Sequence, residues 1–105
     1  MLAAILESGE PARLYTGLSL LVSTAVEGEP ARGLVSFGAL PVLLSGDLDP
    51  ALAELYATAA ELEHLRLYAC AAAVDATGAD PAGTFEVMST PRFLKETAGA
   101  RLVVV

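Results

Sequence analysis

The sequence predicts an α/β fold, a three-layer αβα sandwich whose central sheet has five mainly parallel strands. Short apolar runs alternate with helix-forming segments along the chain, and this alternation is typical of parallel strands joined by crossover helices. Hydrophobic residues make up 54% of the chain and aromatic residues only 6%, as expected for a sheet buried under helices on both faces. Proline marks three predicted helix starts, at Glu10-Pro11, Asp49-Pro50 and Thr90-Pro91.

The first half of the chain predicts two strands and three helices. A turn at Ser8-Gly9 ends the first apolar run, and Pro11 then suits the first turn of a helix, where no backbone N–H is needed. Asp49 is predicted to cap the third helix, with Pro50 in its first position. The predicted elements are a strand at Leu2–Leu6, a helix from Pro11 that ends before Gly28, a strand at Gly33–Phe37, a short helix starting near Pro41, and a helix at Pro50–Glu63.

The second half predicts three more strands and two more helices. An apolar run at Leu65–Tyr68 leads through Cys70 into small helix-forming residues. Thr90-Pro91 repeats the pattern of a cap followed by proline, and Gly99 is expected to end that helix. The predicted elements are a strand at Leu65–Tyr68, a helix at Ala71–Ala76, a strand at Thr84–Met88, a helix at Thr90–Ala98 and a strand at Arg101–Val105.

Length and charge limit the classes of protein to consider. A chain of 105 residues predicts one domain, residues 1–105. The net charge of −7 argues against a nucleic-acid surface, which needs clustered Lys and Arg. The longest uncharged runs, Leu14–Val26 and Gly33–Gly46, are too short and too broken to span a bilayer. No leader pattern opens the sequence, and a single cysteine fits a reducing compartment, so a cytoplasmic location is expected.

The apolar content predicts assembly. The mean hydropathy of +0.57 is high for a monomer of this size, and the first helix carries Ser and Thr rather than charges on the side away from its leucines. Some apolar surface is therefore expected to be buried between copies of the chain, in a homo-oligomer.

Cys70 is the predicted catalytic residue. It lies where a buried strand meets a helix, and in parallel sheets that edge is where ligand crevices form. The free N–H groups at the start of the helix favour the thiolate, the reactive form of a cysteine. A buried structural cysteine is the alternative, since free cysteines often pack as small hydrophobic residues.

Five further residues are candidates for a binding role at the same edge. Arg13 and Arg92 each follow a helix-opening proline, where a positive charge opposes the helix dipole and is available to hold an anion or to lower a thiol pKa. Ser8, Ser36 and Ser89 each end a predicted strand and are available to line a crevice. Solvated arginines and turn or capping serines are the alternative interpretation.

Several other chemistries find no support. The turn after the first strand lacks the glycines of a dinucleotide-binding loop, and no phosphate-binding Gly-rich loop is present, so no cofactor is predicted. One His and one Cys do not suffice for a zinc site. His64 precedes the strand that Cys70 ends, so the strand holds them roughly 20 Å apart at about 3.3 Å per residue. A Cys–His dyad within one chain is not expected.

The segment LRLYACAAAVDATG, Leu65–Gly78, resembles the cysteine segment of the DsrE/DsrF/TusD-like family of small sulfur-relay proteins. In that family an apolar strand runs into a Cys followed by small residues and then a Gly, as at Cys70 and Gly78. The order of the other segments is similar over nearly the whole chain. One departure is Asp75-Ala76-Thr77, where relay members often carry basic residues.

The resemblance implies a five-stranded DsrE-like α/β domain that assembles into trimers or hexamers. It also implies that Cys70 carries sulfur as a persulfide between donor and acceptor proteins. Two functions therefore remain open at this point. One is a sulfur carrier that acts through Cys70 by thiol exchange. The other is a non-catalytic oligomeric binding protein in which the cysteine is only packed.

Overall fold

All 105 residues are described by a computed structural model, in which five parallel strands form one sheet in the order β4-β3-β2-β1-β5. The predicted fold class is therefore confirmed. The strands are β1 (Leu2–Leu6), β2 (Ala31–Val35), β3 (Leu65–Cys70), β4 (Glu86–Met88) and β5 (Arg101–Val104). The helices are α1 (Pro11–Val26), α2 (Ala39–Ser45), α3 (Pro50–Glu61), α4 (Ala71–Thr77) and α5 (Thr90–Glu96).

Helices cover both faces of the sheet. On one face, α1 packs against α3 and against the first three strands. Leu21 of α1 and Leu67 of β3 both lie over Gly33 of β2, which leaves room for them because it has no side chain. Tyr68 points to the opposite face, since successive side chains of a strand alternate, and there its ring meets Phe93 of α5 edge to face at 6.4 Å.

The helix starts follow the capping pattern in the sequence, with one correction. Asp49 caps α3 as predicted, because its carboxylate accepts the Leu52 N–H at 3.1 Å. Glu10 caps α1 in the same way. The N-cap of α5, however, is Ser89 and not Thr90, because Ser89 Oγ accepts the Arg92 N–H at 3.3 Å. Thr90 is the first residue inside that helix, so its hydroxyl remains free for another partner.

Four strands differ from their predicted bounds, and for two of them, β2 and β4, the hydrogen bonds show the reason. β2 begins at Ala31, whose N–H donates to the His64 carbonyl at 2.9 Å, and it ends before Ser36, whose carbonyl accepts two N–H groups of α2. The strand predicted at Thr84–Met88 is shorter, because the N–H groups of Thr84 and Phe85 both donate to the Pro81 carbonyl in a turn.

The loops after β1 and β2 lie in direct backbone contact at the carboxyl end of the sheet. The Gly38 N–H donates to the Glu7 carbonyl at 2.9 Å. A Cβ on Gly38 would lie 2.8 Å from the Glu7 carbonyl oxygen and 3.0 Å from the Gly9 nitrogen. The absence of a side chain at Gly38 is therefore what lets the two loops meet.

The longest helix, α1, has 16 residues. None of the helices combines the length and the apolar character that crossing a membrane requires.

Gly38→Ala is expected to destabilise the protein by about 1–3 kcal/mol, the usual cost of overpacking. Gly38 has ordinary helical dihedral angles, so the loss comes from the clash of the new Cβ with the backbone atoms of Glu7 and Gly9. Urea unfolding measures it. Gly33→Ala is the matched control, because the close contacts of its new Cβ are with the terminal methyl groups of Leu67 and Leu21 rather than with backbone atoms. A Gly38→Ala loss no larger than the control's would contradict this account.

Candidate functional site

Cys70 lies where the sequence places it, at the carboxyl end of β3 and at the N-cap of α4. It pairs with Met88 of β4 in the sheet register. Its side chain is buried, with only 1% of the residue exposed, and belongs to the hydrophobic core. The Cys70 Sγ lies 3.6 Å from the Thr90 Oγ1, a distance that suits a hydrogen bond to sulfur.

The parallel register brings two hydroxyl groups to Cys70 from the strands on either side. In β2, Val35 pairs with Ala69, so Ser36 follows at the level of Cys70. In β4, Met88 pairs with Cys70, and Thr90 comes two residues later at the start of α5. Ser36 is buried and Thr90 is half-buried. The thiol therefore lies between two side chains that are able to donate hydrogen bonds.

The pKa of the Cys70 thiol is lowered from its ordinary value. Burial alone raises this pKa, because it disfavours the charged thiolate. Four nearby donors, the Ala73 N–H, the Thr90 hydroxyl, the Ser36 hydroxyl and the Ala72 N–H, together outweigh that cost. Of these, only the Thr90 hydroxyl lies at hydrogen-bonding distance from the sulfur. The two backbone donors belong to the first turn of α4, where N–H groups have no partner within the helix. The donors therefore stabilise the thiolate relative to that of an ordinary cysteine, although the site is shielded from water.

Thr90 is the residue that sequence reasoning missed. Thr90-Pro91 was interpreted as a cap followed by proline, which would commit the Thr90 hydroxyl to α5. The only signal in the sequence was the neighbouring Ser89, an equally good cap. Because Ser89 takes the capping role, Thr90 is available to Cys70.

The other two serine candidates are used in local turns and caps. Ser8 Oγ accepts the Glu10 N–H at 3.0 Å, and Ser89 Oγ accepts the Arg92 N–H. Neither residue is among the groups that shift the Cys70 pKa. Of the three serines, the structure brings only Ser36 to the thiol.

Both candidate arginines are exposed at the starts of their helices. The Arg92 Nε donates to Glu96 Oε1 at 3.0 Å, so its charge is paired within α5. Arg13 makes no ion pair. No arginine contributes to the lowered pKa of Cys70; uncharged donors account for the shift.

The expectation that Cys70 lies in an open crevice is wrong for this conformation. Two surface concavities exist, and Cys70 lines neither. The larger, of about 280 Å³, lies beside α3 and the free edge of β3, with Tyr56 and Phe85 among its walls. Around the thiol, α2 contacts α4 and the loops after β1 and β2 meet at Gly38. These contacts fill the space where a crevice was expected.

Neither a dyad nor a metal cluster is formed. His64 lies in the turn before β3, at the strand end opposite to Cys70. No group of three or more His, Cys, Asp or Glu side chains is arranged to hold a metal ion.

Comparisons with known proteins add no family assignment. No protein-family model matches the sequence, and no curated protein matches it significantly.

Thr90→Val is expected to raise the pKa of Cys70. Valine keeps the shape of threonine but removes a donor that stabilises the thiolate, so the thiolate fraction at a fixed pH below the pKa falls. Titrating the ultraviolet absorbance of the thiolate in the folded protein measures the shift. Thr16→Val is the control, because the Thr16 hydroxyl bonds only to the Ala12 carbonyl in α1. An unchanged titration in Thr90→Val, or an equal shift in the control, would contradict the role of Thr90.

Proposed function

We propose that this protein carries sulfane sulfur as a persulfide on Cys70 and passes it from a donor protein to an acceptor protein. The observation that carries the proposal is the set of uncharged donors around the thiol, which lowers its pKa despite burial. A structural cysteine needs no such donors, since a neutral thiol packs well among apolar side chains. The thiolate is the form that reacts in sulfur exchange.

The chemistry requires no metal and no oxidant. The Cys70 thiolate attacks the outer sulfur of a donor persulfide, and a new S–S bond forms as the donor's S–S bond breaks. The donor leaves as a thiolate that takes up the proton of its former persulfide, so no electrons are gained or lost overall. In the second step an acceptor thiolate attacks the outer sulfur on Cys70, and Cys70 is released as the thiolate.

The hydrogen-bond donors have a role in both steps. They stabilise negative charge on the Cys70 sulfur when it attacks and again when it leaves. The reacting sulfur must also be reached from outside, which requires a local opening of the short helices α2 or α4, each of seven residues. Such openings cost less than global unfolding, because they expose little apolar surface.

The proposal includes the setting that the sequence predicts. The chain acts in the cytoplasm as a homo-oligomer, and the resemblance implies a trimer or a hexamer. Assembly is supported by the exposed large apolar side chains, which include residues on α1, α5 and β5. Removing such side chains from water favours association.

A non-catalytic oligomeric binding protein is the second candidate. The observation that favours it is the 1% exposure of Cys70, which places the thiol within the apolar core. In that case the donors around the thiol only satisfy a buried polar group, and Cys70 does not react in the folded protein.

Incubation of the native protein with a small-molecule persulfide is expected to add the mass of one sulfur atom. The donor sulfur is attacked by the thiolate, so the adduct is lost in Cys70→Ser and is removed by a thiol reductant. Intact-mass spectrometry measures both results. Serine is the matched control, because it is close to cysteine in size and also forms hydrogen bonds, but it has no thiolate to attack the donor's sulfur.

The same incubation under denaturing conditions separates the two candidate functions. A native protein that stays unmodified while the unfolded protein gains sulfur would contradict the carrier proposal and favour the structural cysteine.

A further inference from the structure

The two edges of the sheet differ in how they are protected from pairing with other strands. An edge strand exposes unpaired N–H and C=O groups, and proteins protect such edges with short strands, charges, proline or bulges. The β4 edge is protected in two of these ways, since it has three residues and carries the exposed Glu86. The β5 edge has four residues, Arg101-Leu102-Val103-Val104, with no proline, and its one charge is on the first residue, so the last three are all apolar. Of the two edges, β5 is the longer and the more apolar, and it is therefore the better suited to pairing.

The hydrogen bonds of β5 show which of its groups are free. The Arg101 N–H donates to the Met1 carbonyl at 3.1 Å, and the Val105 N–H donates to the Ile5 carbonyl at 2.9 Å. Because backbone groups alternate between the two sides of a strand, the N–H and C=O groups of Val103 also point toward β1. The N–H and C=O groups of Leu102 and Val104 therefore point away from the sheet. They have the two-residue spacing that an antiparallel partner requires.

Apolar side chains flank these free groups on both faces. Leu102 is 48% exposed and Val104 is 60% exposed, and alternation places both on the same face of the sheet. On the other face Gly17 of α1 lies against Val105, and Leu20, three residues further along the same side of that helix, is 42% exposed. The free backbone groups thus lie between two apolar strips.

We propose that β5 pairs antiparallel with β5 of a second copy of this chain, so that two sheets join into one across a two-fold axis at Val103. The edge is complementary to itself. With the axis at Val103, the free groups of Leu102 face those of the partner's Val104, and the reverse holds on the other side. Each of the four N–H groups then meets a carbonyl, and the Leu102 and Val104 side chains of both copies form one apolar cluster on one face.

The edge itself carries little charge that would oppose a second copy. The chain carries a net charge of −7, so two copies repel each other at most orientations. The β5 strand carries only one charge, on Arg101. In the antiparallel arrangement each Arg101 faces the partner's Val105, and the two arginines are roughly 14 Å apart along the strands at about 3.4 Å per residue. That distance exceeds the screening length of about 8 Å at physiological salt, so no like charges meet.

The pairing is independent of sulfur transfer and sets a condition on stoichiometry. A two-fold contact produces assemblies with an even number of chains, so a dimer or a hexamer contains it and a simple trimer does not. Cys70→Ser is expected to assemble as the wild type does, so that failure of the persulfide experiment leaves this proposal standing, and the reverse is also true.

Two variants test the pairing by sedimentation at micromolar concentrations. Val104→Pro removes an N–H that points away from β1, so it leaves the hydrogen bonds within the chain intact. Leu102→Lys places a charge in the apolar cluster. Both are expected to halve the mass of a dimer, or to reduce a hexamer to trimers. Val87→Lys is the matched control, since Val87 is 43% exposed but lies on β4, at the opposite edge of the sheet from β5, and it is expected to keep the wild-type mass.

Amide hydrogen exchange on the wild type keeps the test independent of how the variants fold. In the assembly the amides of Leu102 and Val104 are expected to exchange as slowly as that of Val103, and to lose this protection on dilution while Val103 keeps it. A wild-type mass of one or three chains, variants that keep the wild-type mass, or rapid exchange at Leu102 and Val104 in the assembly would each overturn the proposal.

Discussion

The alignment of β2, β3 and β4 at their carboxyl ends is the constraint on which the candidate site depends. Parallel pairing of Val35 with Ala69, and of Met88 with Cys70, fixes the level at which the three strands end. Ser36 and Thr90 reach the thiol only because their strands end at that level. A change of register by one residue would turn each side chain to the other face of the sheet. The hydrogen-bonded ladder therefore determines which groups surround the thiol, whose pKa is shifted by uncharged donors.

Two opposing effects meet at Cys70, and their balance gives the site its character. Burial disfavours the thiolate, whereas the donors from α4, Thr90 of α5 and Ser36 after β2 favour it. The net result is a lowered pKa for a residue that is almost wholly covered. A thiol of this kind is protected from indiscriminate oxidation, because oxidation depends on exposure as well as on thiolate character. A reagent then reaches the sulfur only when the segments that cover it, α2 or α4, open.

The fold could be predicted from the sequence because local signals agreed with one another. Pro50 after Asp49, and Pro11 after Glu10, mark helix starts by removing an N–H where none is needed. Strand bounds were less predictable where distant partners decided them. β2 begins at Ala31 because the His64 carbonyl is there to receive its N–H, and Arg32 is accommodated because its guanidinium donates to the Ala31 and His64 carbonyls at 2.9 Å. Neither contact is visible in the local sequence.

The site was predictable where it depends on local signals and not where it depends on distant contacts. Cys70 and Ser36 follow from the order of strands and their ends, whereas Thr90 depends on which of two adjacent residues caps α5. The crevice was wrongly predicted because loop packing at Gly38 is a tertiary contact. The charge pattern of the sequence suggested that Arg13 and Arg92 act on the thiol, but the donors that do so are uncharged.

The most direct test of this account is the rate at which a small neutral alkylating reagent modifies Cys70 in native protein as denaturant is added. The account predicts a rate that is nearly constant at low denaturant, because a local opening exposes little surface. A rate that rises from the start with the full slope of global unfolding would contradict it.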